Sequence, residues 1–162
     1  MKKIVAAVLL FLVSVNAYAN SDLKDEYKKL VDIFFDAVRV GHVGVVNEFL
    51  TNGFPVDQRN SKSYTPLMVA AYSGQTKMVD ILVAGGADAC ATDKRGNTAL
   101  MGALFKGELG IVKKLYGIEC DPNATNNAGQ TLDDFAEMFG KQEFLQSLGA
   151  ISIIICNLYP NK

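Results

Sequence analysis

Thr65-Pro66-Leu67-Met68-Val69-Ala70-Ala71, closed by Gly74, is answered 33 residues later by Thr98-Ala99-Leu100-Met101-Gly102-Ala103 and Gly107. The same step leads to Thr131-Leu132-Asp133-Asp134-Phe135-Ala136 and Gly140, and backwards to Ala37 and Gly41. Four glycines and three threonines therefore hold one spacing without a slip. A fixed period of this length means stacked copies of one supersecondary unit, because no single copy can bury its own apolar face.

The remaining columns agree. Val45, Met78, Ile111 and Phe144 share one position, Val46, Val79, Val112 and Leu145 the next, and Phe49, Leu82, Leu115 and Leu148 a third. Their i, i+1, i+4 spacing is the apolar stripe of a short helix. Ala37, Ala70, Ala103 and Ala136 form a small-residue column that lets two helices approach closely. Each threonine stands where a helix N-cap belongs, and Pro66 follows at the first helical position, where its missing N–H is harmless. Asn60, Asp93 and Asn126, five residues before each threonine, suit a tight turn with Gly96 and Gly129 at its φ-positive position. Gly41, Gly74, Gly107 and Gly140 are expected to end the first helix of each unit in the left-handed conformation.

The opening Thr65-Pro66-Leu67-Met68-Val69-Ala70 and the ending Ile81-Leu82-Val83-Ala84-Gly85-Gly86-Ala87-Asp88 resemble an ankyrin repeat, with Met68 where that family carries a histidine. The resemblance covers about residues 30 to 150. It implies an all-α repeat protein, an ankyrin-repeat solenoid of about four helix-turn-helix units with β-hairpin loops. The units are expected at about 28–60, 61–93, 94–126 and 127–150. The first lacks the Thr-Pro-Leu opening but keeps Ala37, Gly41 and its stripe.

Outside the repeats, Met1-Lys2-Lys3 leads into the apolar run Ile4 to Val13 and then Ala17-Tyr18-Ala19. This is the pattern of a secretory signal peptide at 1–19, cleaved after Ala19. The run is half what a membrane span needs, so no stable membrane anchor is expected. The compact basic start resembles bacterial export signals and places the mature chain in the periplasm. Cleavage removes Lys2 and Lys3, leaving 14 basic against 17 acidic residues, a net charge of −3 that does not favour nucleic acid. The repeat domain is then 20–150. Asn20 to Leu30 is expected to extend or precede the first helix and to shield the outer face, as Asp133 and Glu137 do at the other end. The apolar C-terminal tail 151–162 is expected to pack back as a strand or irregular segment. A self-associating or partner-docking edge there is the alternative to a monomer.

Three cysteines in an oxidising compartment permit three different single bridges, each leaving one thiol. Cys90 and Cys120 lie in neighbouring loops of the stack and are the preferred pair. They fall in different columns, Cys90 with Asn123 and Cys120 with Ala87, so small buried thiols stay open as an alternative. His42 is the only histidine, which leaves no histidine cluster for a metal and no evident base for a nucleophile. Following turn Gly41, it fits a structural role. Asp133-Asp134 sits at a helix cap, and Gly85-Gly86 has no phosphate-cradle context. No enzyme activity and no cofactor are expected.

Ankyrin repeats generally hold protein partners on their hairpin tips and the exposed face of the first helices. Mapped by column, the resemblance gives Lys62, Tyr64, Lys94, Arg95 and Asn97 on the hairpins, and Tyr72, Phe105, Lys106 and Met138 on the helices. A solvent-facing column should be polar, yet Tyr72, Phe105 and Met138 keep it aromatic or Met through three units; inward-turned side chains are the alternative. Lys62 and Lys106 at the rim point to an acidic patch on the partner and salt-sensitive association. The resemblance further implies an immunity protein masking a toxin that acts in the periplasm. Behind it stand an accessory factor in catalase-linked oxidative-stress defence and a thiol-active redox protein using Cys90, Cys120 or Cys156.

Overall fold

The computed structural model describes residues 22–118, 120–121 and 123–158, with side chains as far as residue 150. The expected export signal lies outside the described residues. Helix α1 covers 22–40. It is followed by α2 (Val43–Thr51), α3 (Pro66–Tyr72), α4 (Thr76–Ala84), α5 (Ala99–Lys106), α6 (Leu109–Tyr116), α7 (Leu132–Met138) and α8 (Gln142–Leu158). These form four helix pairs, one per 33-residue unit, and the fold is an all-α repeat solenoid.

Local chemistry starts and stops the helices where the columns require. Thr65, Thr98 and Thr131 take extended backbone, and each hydroxyl accepts from the N–H three residues on. Met68 meets the Thr65 N–H with its thioether sulfur at 3.5 Å, completing a capping box in which sulfur, a weak acceptor, closes the ring. At Thr131 the box is closed by Asp134, whose Oδ2 accepts from both the Thr131 N–H (2.8 Å) and its hydroxyl (2.7 Å). Gly41, Gly74, Gly107 and Gly140 all have φ between 63° and 75°, as expected of left-handed helix ends.

The hairpins contract to their turns, and no strand is formed among the described residues. Each turn is organised by one side chain. The Oδ1 atoms of Asn60, Asp93 and Asn126 each accept from the backbone N–H two and four residues ahead. Gly96 (φ 79°) and Gly129 (φ 76°) occupy the φ-positive position, which in the second unit is filled by Ser63 at φ 67°.

Helices of seven to nine residues do not hold themselves in water, so stacking supplies their stability. Val46, Val79, Val112 and Leu145 form a continuous buried column, with Leu82 and Leu115 in the next. Burial is fullest in the two middle units, which are covered from both sides, while Val45 and Phe144 in the end units are only half-buried. The first unit compensates for its missing opening with aromatic packing: Phe34 is fully buried against Phe49 and Phe54.

Two expectations are corrected. The tail is neither strand nor irregular, because α8 runs unbroken through residues 151–158 to Leu158. A helix already nucleated at Gln142 extends at a cost of tenths of a kcal/mol per β-branched residue, less than opening a new turn. Gly149 lets it pass, since a Cβ there would meet the Tyr116 hydroxyl at 3.1 Å. At the other end, 22–30 does extend the first helix, but it is not simply a polar shield. Leu23, Tyr27, Leu30 and Ile33 are all exposed, with Tyr27 tied to the first unit through its hydroxyl on Gln58.

Cys90 and Cys120 form a disulfide, their Cα atoms 5.6 Å apart and within the reach of a bridge. The loops after α4 and α6 run close enough that residues three columns apart meet. The bond links the second unit to the third.

Candidate protein interface

The ring column on the first helices faces outwards. Tyr72 is 48% exposed, Phe105 49% and Met138 60%, values high for side chains this large and apolar. They reach solvent because the first helices bury only their alanine column and the stripe beside it, leaving the last turn free. The rings are not independent. Tyr72 and Phe105, on consecutive units, stack with centroids 6.0 Å apart and planes 12° from parallel. Phe105 then meets the edge of Phe139 at 5.0 Å, and Phe139 leans on Phe135. Met138 is held at its sulfur by the Gln130 amide at 2.7 Å.

Lys106, expected at the rim, instead lies with Nζ 5.0 Å over the Tyr72 ring, in cation–π geometry. Lys62, Lys94 and Arg95 are exposed on the hairpin tips. Tyr64 is half-buried against the core, and Asn97 spends its Oδ1 on the amide of Asn126. The structure thus brings Tyr72, Phe105 and Lys106 into contact, keeps Met138 exposed in the same column, and groups Lys62, Lys94 and Arg95 on the hairpin tips. Tyr64 and Asn97 serve mainly the stack. Phe139, which shares its column with Lys106 beside the ring set, carries the aromatic track into the fourth unit.

His42 is used structurally, its Nδ1 accepting from the Val45 N–H at the start of α2. Among the described residues no group of three His, Cys, Asp or Glu is placed to hold a metal ion. None of the described helices is long and apolar enough to cross a membrane.

Residues 34–126, more than half of the chain, match the family model described as ankyrin repeats in three copies. The chain belongs to the ankyrin repeat family. It is 42% identical over 67 residues to Protein HOS4 of Saccharomyces cerevisiae, a stretch that is 41% of this chain and 6% of that protein. The chain thus spans a small fraction of that relative's length, and the likeness is one of repeats. Ankyrin repeats are protein–protein interaction scaffolds, typically without catalysis, and that is the class this fold defines.

Proposed function

We propose that the chain is exported, cleaved after Ala19, and acts in the periplasm as a non-catalytic scaffold that holds a protein partner against the Tyr72, Phe105 and Met138 track. The partner in this reading is a toxin directed at the cell envelope, which the chain covers and neutralises as an immunity protein. The supporting observation is the ring track itself. Three large apolar side chains, repeated every 33 residues, stay in solvent while the alanine column two positions before each of them is buried. Such a stripe beside exposed cations has the composition of an interface core, where aromatic, Met and Arg side chains are enriched.

The test begins with the mature N-terminus of the protein recovered from the periplasm, which should be Asn20. Calorimetry with the co-purified partner then compares Tyr72→Ala and Phe105→Ala with the natural chain. Each should weaken binding by on the order of 2 kcal/mol while leaving the melting temperature in place. Unchanged affinity in both variants moves the site elsewhere. A partner that belongs to peroxide defence would keep the wall and replace the toxin.

A further inference from the structure

The three hairpins are not equally joined. Between the second and third, Asn127 donates its backbone N–H to the Arg95 carbonyl (2.8 Å) and its amide to the Lys94 carbonyl (2.9 Å). Asn126 adds a bond to the Asn97 Oδ1 at 2.9 Å. The contact is close because Gly96 has no side chain; a Cβ there would stand 2.8 Å from the Asn127 nitrogen and 2.9 Å from the Asn126 Cα.

Between the first and second hairpins every one of these residues is changed. Ser63 carries a Cβ where the next unit has Gly96, Lys94 stands for Asn127, Asp93 for Asn126 and Tyr64 for Asn97. Asp93 has no amide to donate, and Lys94 makes no bond back to Ser61 or Lys62. The Arg59 guanidinium spans the gap, donating to the carbonyls of Ser63 and Thr92, and further back the Asp57 carboxylate accepts from the Asp88 N–H. The result is a cleft of about 370 Å³ lined by Ser61, Lys62, Tyr64, Asp93, Lys94 and Arg95.

Its charge is lopsided. Three cations line it against one carboxylate, and Asp93 already accepts two backbone N–H groups. Among the described residues the side chains of Lys62, Lys94 and Arg95 enter no ion pair. This surplus sits on a chain whose overall charge is negative. We propose that the cleft is a carboxylate-reading site for an extended acidic segment of a protein partner, whose apolar side chains reach on to Tyr72 and Phe105 of the same two units. The arginine fork suits a bidentate carboxylate, and the two lysines add point charges around it. The inference rests on the docking-wall reading and names the chemistry of what docks there.

The experiment uses the full mature chain and two fluorescein-labelled synthetic peptides. One alternates Asp or Glu with Phe or Leu; the other carries Lys at every acidic position. Anisotropy titrations should show the acidic peptide binding on the order of tenfold tighter or more, with the advantage shrinking as salt is raised. Lys94→Glu/Arg95→Glu should remove most of that binding, whereas Lys77→Glu/Lys113→Glu, the same charge change on the second helices, should not. Ser63→Gly/Lys94→Asn, which restores two of the four seam residues of the next gap, should also lose the peptide while melting no lower than the natural chain. Equal binding of both peptides, binding of neither, or equal loss in the two charge-reversed pairs overturns the inference. If Tyr72→Ala/Phe105→Ala releases the peptide and Lys94→Glu/Arg95→Glu does not, the wall stands and the acidic segment falls. The opposite result keeps the cleft and removes the ring track.

Discussion

Replacing Cys90 and Cys120 together by serine takes out the disulfide cross-link between the second and third units. The bridge closes a loop of sequence separation 30. In the chain-entropy account, a loop of that size removes about 12 cal/mol/K from the unfolded chain, or about 3.6 kcal/mol at room temperature. For a repeat domain running from 20 to 150, with an unfolding entropy of about 2.1 cal/mol/K per residue, that is a fall of about 13 °C in melting temperature. Both sulfurs sit in exposed loops outside the buried columns, so serine should leave no cavity and the loss should be nearly all loop entropy. The assay is a thermal melt by circular dichroism of the oxidised natural chain, the same chain under reductant, and the double-serine variant. The last two should coincide. Labelling of the unreduced, denatured natural chain should count one thiol, that of Cys156. A double-serine protein that melts within about 3 °C of the oxidised chain refutes the reasoning, as does a count of three thiols.

Other positions give sharper local tests. Ser63→Gly relieves a left-handed backbone at about 1–2 kcal/mol and returns part of that as unfolded-chain freedom, so a net gain of about 0.5–1 kcal/mol is expected in urea titrations. Gly96→Ala should cost well over the loss from Gly53→Ala, because both have positive φ but only Gly96 has a neighbouring hairpin at its back. Equal losses would show that the hairpin seam yields. The Asp134 carboxyl is held below its ordinary 3.8, first by the Thr131 N–H and then by its hydroxyl. A depressed folded value means its contribution is complete above the unfolded one and fades as pH falls through the folded one. The natural chain should therefore out-melt Asp134→Asn above 3.8 and converge with it in acid, and carboxyl NMR should place the midpoint lower than 3.8.

The period was legible because its columns are enforced by burial. A position such as Val79 or Leu82 touches both neighbours, so the stack cannot accept a polar residue there and the sequence records it. The ring track was legible for the opposite reason, since Tyr72 and Phe105 occupy a column with no burial to explain them. What escaped was governed by departures within columns. Ser63 prompts no expectation, and only the Gly96 seam shows what a missing Cβ permits. Lys106 reads as a rim charge, yet its stem is long enough to lay the ammonium over a ring in the previous unit. The tail misled because isoleucine-rich composition speaks for strand locally, while continuation of an existing helix is decided by what precedes it.

The contact between Tyr72 and Phe105 has a consequence for how fast and how selectively a partner can leave. Side chains that wave freely must be frozen by whatever binds them, at a loss of about 0.5–1.5 kcal/mol each. Here the freezing is done within the solenoid, by ring on ring, by Lys106 above and by Phe139 at the edge. A surface set in advance rewards only the shape that already fits it, so affinity should appear as long residence, and reshaping the surface for a second partner would mean breaking the stack first.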